Sequence, residues 1–217
     1  MTVAAIIPFR PHANREISLN RVVDHLKRFV DEIVVCDDDG DPFSRGASIN
    51  AGAESVSAET FVICDADLIV PERQLVQALG LGYEDGMVMP FSEYRYLNKV
   101  DTDRVQKGAE PTLAMLPKFT MSNSVGGCCV IDSFAFWAVG GFDTRFRGWG
   151  GEDRAFHASI DTLVGNVIRI DGPSYHLWHP LDKTRPRENR TLEGRYEECR
   201  GDIPAMRRLI ADRKASA

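Results

Sequence analysis

Asp65 and Asp67 stand two residues apart, directly after the apolar run Thr60-Phe-Val-Ile-Cys64. Two carboxylates so spaced at the end of a strand can reach one divalent cation together with a diphosphate. Hard oxygen ligands suit Mg²⁺ or Mn²⁺, which bridge phosphate oxygens and offset the charge of a leaving group. The same pair also fits an ordinary solvated turn. His176-Leu-Trp-His179 places two histidines three apart. They can share a face if helical or straddle a turn if not, and imidazole suits Mn²⁺ or Zn²⁺ better than Mg²⁺. One core and one surface histidine is the plainer alternative. Asp65, Asp67 and His179 together would make a mixed oxygen and nitrogen site that favours Mn²⁺.

Trp149-Gly-Gly-Glu-Asp153 is the most distinctive stretch. Gly150 and Gly151 let the backbone bend freely and approach a ligand closely. Glu152 and Asp153 open a helix, where its dipole stabilises acidic residues whatever their function. That stabilisation leaves Trp149 unexplained. A Trp beside two glycines and two carboxylates suits stacking on a sugar or nucleoside, and a carboxylate there can act as general base on an acceptor hydroxyl. Phe9-Arg10 and Phe43-Ser-Arg45 each pair an aromatic with an Arg after a strand. An aromatic can line a base pocket and an Arg can clamp phosphate in two places. A core Phe beside a surface Arg is the alternative. Asp37 to Asp39 can accept from a base N–H or from ribose hydroxyls, or form a plain acidic turn.

These groups need a scaffold. Val3 to Pro8, Ile33 to Cys36, Thr60 to Cys64 and Met87 to Met89 are short apolar runs that predict buried strands, and Val125 to Ile131 and Val167 to Ile170 resume the pattern. Leu19 to Val30 has helical spacing, and residues 45–55, 72–79, 134–139 and 152–164 predict further helices. Residues 97–125 show no clear periodicity and predict a mobile connection or substrate loop. Strands alternating with helices imply βαβ units and a parallel sheet. Arg10, Asp37 to Asp39, Asp65 and Asp67 all follow strand C-termini, the edge where open α/β sheets bind ligands.

Composition sets the outer bounds. The chain has 217 residues, 43% of them hydrophobic and 27% charged, as in ordinary globular domains. Its net charge of −6 argues against nucleic acid or an anionic membrane as the main partner. No apolar run approaches the ~18 residues of a membrane span, and Met1 to Phe9 lacks the features of a signal peptide, so a cytoplasmic location is expected. Five cysteines without a CxxC pair predict neither a disulfide framework nor a thiolate zinc site. Charge is uneven. Residues 183–217 hold ten of the 26 Lys and Arg but six of the 32 Asp and Glu, leaving that tail at +4 and the rest at −10.

Taken together, the sequence resembles the GT-A glycosyltransferases, nearest to the β-1,4-galactosyltransferases and the polypeptide N-acetylgalactosaminyltransferases. The resemblance rests on Ile6-Ile-Pro-Phe-Arg10, Phe43-Ser-Arg-Gly46 with Asn50, Phe61-Val-Ile-Cys-Asp-Ala-Asp-Leu-Ile69, Gly126-Gly127, Gly140-Gly-Phe142, Gly148-Trp-Gly-Gly-Glu-Asp153 and His176-Leu-Trp-His179 with Asp182-Lys183. These motifs keep the family's order across residues 3–183. The resemblance implies an α/β, Rossmann-like GT-A domain over residues 1–182, with a mostly parallel central sheet flanked by helices. Residues 183–217 would be a basic tail or helix packing on it or closing over it, with Lys183, Arg185, Arg187 and Arg190 on the phosphate side. It implies transfer of a hexose from UDP-galactose, UDP-N-acetylgalactosamine or UDP-glucose to an acceptor hydroxyl by inverting displacement, with Mn²⁺ or Mg²⁺. Asp67, His179 and His176 would hold the metal, and Asp65 would sit near the metal or the ribose. Pro8, Phe9, Arg10, Arg15, Phe43 and Arg45 would hold the uridine diphosphate, with Asp37 or Asp38 on uracil. Trp149 and Gly151 would ride a loop that closes over the donor sugar, Glu152 would hold sugar hydroxyls, and Asp153 would be the base. Arg154 stands where the family often continues with further acidic residues. A glycan, a protein, a lipid-linked saccharide or a modified nucleic-acid base would serve as acceptor. The competing readings are a nucleotide-sugar binding protein without activity and a sugar-phosphate nucleotidyltransferase, which would want a glycine-rich, Arg-containing loop where Pro8-Phe-Arg-Pro11 stands.

Overall fold

In a computed structural model of the chain, residues 1–11, 15–165, 167–180 and 186–215 are described. Two sheets share one core. The larger has six strands in the order β2(Glu32–Cys36), β1(Val3–Pro8), β3(Thr60–Cys64), β8(Cys128–Asp132), β5(Met87–Met89), β9(Ile168–Arg169). The smaller has the order β4(Leu68–Ile69), β10(Pro173–His176), β6(Glu93–Leu97), β7(Pro117–Ser122). β1 is flanked by parallel partners, Ile6 facing Val34 on one side and Ile63 on the other. All residues of β1, β3 and β5 are buried, which is why those runs read as continuously apolar rather than alternating.

The helices follow from local signals. α1(Glu16–Leu26) buries Ser18, Val22, His25 and Leu26, one stripe at helical spacing. α2(Arg45–Glu54) is capped by Ser44, whose hydroxyl accepts from the Ala47 amide at 3.2 Å. α2 lies directly on the sheet: a Cβ at Gly52 would stand 2.8 Å from Ile6 and 2.9 Å from the Cys36 sulfur. That contact carries Arg45, the first residue of α2, to the sheet edge where β1 and β3 end. α3(Glu72–Asp85), α5(Ser133–Ala138) and α6(Glu152–Leu163) flank the sheet.

Two expectations change. Residues 97–125 are largely ordered structure: the end of β6, α4(Lys99–Gln106), capped by the Asn98 side chain, and β7 paired antiparallel to β6. β7 alternates poorly because nearly all of it faces solvent, so its sequence carries no buried stripe. Also, β8 runs antiparallel to both β3 and β5. Its apolar run is compatible with either direction, since both faces are covered.

The chain ends in α7(Arg187–Glu198) and α8(Ile203–Ala215). With α6 they enclose a second small core of Phe146, Ala155, Ala158, Tyr196, Met206 and Leu209. Lys183 and Arg185 lie outside the described residues, as do Asp182 and the remainder of 181–185. Arg187 and Arg190 are exposed on α7.

Candidate active site

Asp67 follows β3, and His176 ends β10. They meet because β10 pairs with β4, placing His176 opposite Leu68, and because the Leu177 amide donates to the Asp67 carbonyl at 2.7 Å. His179 comes from the extended segment just beyond. The Asp67, His176 and His179 ligand atoms all lie within 4.8 Å of one another. His176 Nε2 is 3.4 Å from Asp67 Oδ1, and His179 Nε2 is 3.3 Å from Oδ2. His179 Nδ1 lies 2.7 Å from the Pro180 carbonyl. A carbonyl only accepts, so Nδ1 donates there and Nε2 is the ring nitrogen on the Asp67 side. Burial lowers the His176 pKa, keeping the ring neutral and able to ligate. Burial opposes ionisation of Asp67, but the neighbouring His176, Arg15 and His179 outweigh it and hold the carboxyl below its usual range. One carboxylate and two imidazoles form a donor set suited to Mn²⁺. His176 Nδ1 is buried without a partner. Arg15 is the standing cation here, donating to Asp67 Oδ2 at 2.7 Å.

Asp65 is not among these three. Its carboxylate accepts from Arg45 at 2.8 Å, and the other arm of Arg45 donates to Asp153 Oδ1 at 2.7 Å. Arg45 therefore ties the end of β3 to the start of α6. Burial disfavours its charge, but Asp153, Asp65 and Glu152 outweigh that and keep it firmly protonated. Asp153 is raised by burial, with Arg45 pulling the other way. Burial, then the Asp153 charge, pushes Glu152 up to about 7. Glu152 Oε2 has no hydrogen-bond partner. Gly126 explains how Asp153 fits: a Cβ there would lie 2.2 Å from its Oδ2.

On the other flank, Pro8 and Phe9 are buried at the end of β1. Arg10 lies 4.9 Å over the Phe43 ring and donates to Asp37 at 3.1 Å and to the Gly40 carbonyl at 2.8 Å. Asp38 accepts from the Ser44 amide at 3.0 Å and from Arg147 at 2.7 Å. Trp149 is 57% exposed. Gly151, at φ 108°, turns the chain into α6 without a side-chain cap, a conformation that favours glycine. Thus Arg15 joins the Asp67 cluster, Arg45 with Asp65 joins Asp153, and Arg10, Asp37 and Phe43 form a third group. Beside His176 and His179 opens a cavity of about 290 Å³ walled by Tyr96, Phe119 and Trp178, with Tyr96 stacked on Phe119 at 4.0 Å.

The sequence-based reading left out Arg147, Asn189, Tyr96 and Phe119. Arg147 adjoins the Trp149 motif, the one signal that points to it. Tyr96 and Phe119 fall at the unperiodic stretch, and Asn189 carries no pattern of its own.

This arrangement can be set beside known proteins. The model for the N-terminal domain of galactosyltransferase matches residues 114–180, a span running from β7 through His176 and His179. Chondroitin sulfate N-acetylgalactosaminyltransferase 2 from mouse is 30% identical, and the human protein 29%, over 148 residues. That match covers 63% of this chain and 27% of each relative, so the chain spans about a quarter of their length. The catalytic domain of Drosophila β1,4-galactosyltransferase 7, in complex with xylobiose, superposes with a TM-score of 0.59 at 21% identity, covering 89% of this chain and 79% of that one. The fold is GT-A. Glucosyl-3-phosphoglycerate synthase from Mycobacterium tuberculosis, in complex with Mn²⁺, UDP-glucose and phosphoglyceric acid, superposes with a TM-score of 0.53 at 16% identity over 94% of this chain and 80% of that one. A further structure of the Drosophila enzyme holds manganese, UDP-galactose and xylobiose. Among the described residues no helix of this GT-A chain is long and apolar enough to cross a membrane.

Proposed function

We propose that this chain is a metal-dependent glycosyltransferase moving a hexose from a UDP-sugar to an acceptor hydroxyl by inverting direct displacement. The observation that carries the reading is the Asp67, His176 and His179 cluster standing on the same sheet edge as the Arg45-linked Asp65 and Asp153. Asp67, His176 and His179 would hold Mn²⁺, which when bound offsets the negative charge that builds on a departing diphosphate. Asp65 serves through Arg45 rather than as a ligand. Arg10, Phe43, Asp37 and Asp38, with Pro8 and Phe9 behind them, would receive the uridine, and Arg15 and Arg45 supply fixed positive charge for the diphosphate.

Asp153 would be the general base. The acceptor oxygen bonds to the anomeric carbon as the bond from that carbon to the diphosphate breaks. The acceptor proton passes to Asp153, and UDP leaves. Glu152, which burial and Asp153 keep protonated well above the usual carboxylate range, would donate to or accept from sugar hydroxyls. The aromatic cavity beside the histidines suits a pyranose face and supports a carbohydrate acceptor. Galactose, N-acetylgalactosamine and glucose remain the donor sugars to compare, the first two supported by the names of the relatives and the third by the UDP-glucose complex of the mycobacterial neighbour.

The test is thermal. UDP with Mn²⁺ should raise the melting temperature, and Asp67→Ala should abolish that rise. At a ligand concentration of 100 Kd the stabilisation is about 2.7 kcal/mol. Unchanged melting in UDP and Mn²⁺ would overturn the reading.

A further inference from the structure

We infer that Asn189, on α7, is a positioning residue that holds the Trp149 loop in place, so that the C-terminal hairpin belongs to the functional unit. Asn189 is buried at 2% exposure. Its side-chain amide donates to the carbonyls of Arg147 at 2.9 Å, Gly150 at 3.0 Å and Trp149 at 3.4 Å. Its Oδ1 accepts from the Arg147 amide at 3.4 Å. One side chain thus spans the whole of Arg147-Gly-Trp-Gly150.

The loop has little else to fix it. Gly148, Gly150 and Gly151 take φ of 66°, 90° and 108°, a conformation that glycine adopts at low cost and equally leaves at low cost. Trp149 is largely exposed and does not anchor it. On the other side the loop is held by two contacts: Arg147 on Asp38 at 2.7 Å, and the Gly148 amide on the Phe43 carbonyl at 2.8 Å. Asp38 and Phe43 are residues assigned above to the nucleotide. Asn189 therefore faces the nucleotide side across the loop and closes a clamp upon it. The loop leads directly into Glu152 and Asp153, so its position sets where those carboxylates stand.

α7 is itself tied down independently. Tyr196 donates to Asp143 at 2.8 Å, and Arg213 of α8 reaches the Gly141 carbonyl at 3.0 Å. This separates two roles for the tail: stability through Tyr196, and loop position through Asn189.

The inference rests on the glycosyltransferase reading only for its kinetic arm. The protein would be labelled with 5-fluorotryptophan, and Trp149 assigned by its loss in Trp149→Phe. In Asn189→Ala and Asn189→Asp the Trp149 fluorine resonance should shift and broaden, while the other two tryptophan lines hold. UDP affinity in Mn²⁺ should change less than twofold, and kcat with the UDP-sugar found to be turned over should fall at least tenfold with KM within threefold. Asn189→Asp keeps size and the acceptor but cannot donate to carbonyls, so it should match alanine. Tyr196→Phe should lower the melting temperature while leaving the Trp149 line and kcat unchanged. The inference is overturned if the Trp149 line is the same in wild type and both Asn189 variants, or if Tyr196→Phe moves it equally. Failure of wild type to bind UDP in Mn²⁺ would sink the nucleotide reading instead, and the fluorine spectrum would still decide the role of Asn189.

Discussion

Replacing Glu152 by Gln should make the protein more stable at pH 8 and leave it nearly unchanged near pH 4.5. Glu152 is 8% exposed, and its Oε2 has no hydrogen-bond partner. Burial and the neighbouring Asp153 push its pKa from 4.5 to about 7. Between those values the folded protein keeps a proton that the unfolded chain releases. The unfolded state then binds fewer protons, so stability falls as pH rises through this window. At 1.36 kcal/mol per pH unit, the loss amounts to about 3 kcal/mol above pH 7. Gln has no proton to lose, and its gain at pH 8 corresponds to a melting rise of roughly 6–12 °C for a chain of this size. The assay is thermal or urea unfolding of both proteins at pH 4.5 and pH 8, read as the difference between differences, which cancels the titrating groups that do not interact with Glu152. Equal stability gaps at the two pH values, or a less stable variant at pH 8, would refute the reasoning that burial keeps Glu152 protonated.

Gly126→Ala would put a Cβ against Asp153 Oδ2. It should cost about 1–3 kcal/mol by overpacking and depress transfer while UDP still binds in Mn²⁺, checked by unfolding and calorimetry in parallel. Asp143→Ala would remove a carboxylate, 2% exposed, that accepts from Arg145 and Tyr196. Breaking such a buried pair should cost about 3–5 kcal/mol, measured as a lowered denaturant midpoint.

Much of this architecture was legible because burial writes itself into sequence. β1 and β3 have both faces covered and therefore appear as unbroken apolar runs, and the polar residues after them mark the ligand edge. The ordered motifs from Ile6 to His179 carried the fold further than periodicity alone. Residues 97–125 failed for the converse reason: β7 is solvent-facing, α4 is short and polar, and neither leaves a stripe. Asp65 shows a limit of motif reading. Its spacing from Asp67 suggested shared ligation, but their side chains separate, one to Arg45 and one to the histidines. Nothing in the Asp-Ala-Asp spacing encodes an arginine 20 residues earlier. Asn50 illustrates the same gap. It stood out within a motif, yet its task appears only in three dimensions, where its amide donates to the Phe142 carbonyl and accepts from the Phe142 amide, both at 2.9 Å.

The uneven charge also has a structural use in the fold. A tail at +4 beside a body at −10 suggested a cationic cover for phosphate. Other arginines of the tail are engaged in ion pairs: Arg200 on Asp161 of α6 at 2.9 Å and Arg213 against Asp143 at 3.6 Å tie it to the body, and Arg195 on Asp212 at 3.7 Å joins α7 to α8. Glu193 of α7 meets Arg154, the residue that departs from the acidic continuation of the family motif, at 3.4 Å. Arg154 thereby points to the tail and not to the carboxylates of the site. Positive charge beside the Asp67 and Asp153 carboxylates comes from Arg15 and Arg45, which sit before α1 and at the start of α2 in the acidic body. What distinguishes the two sets is geometry. Arg15 and Arg45 stand at helix N-termini on the ligand edge of the sheet, where a helix end already favours an anion. Arg195 and Arg213 lie on α7 and α8 and Arg200 in the turn between them, and their partners are carboxylates of the fold itself. Net charge by segment therefore does not locate the charge at the site, whose polarity has to be read residue by residue.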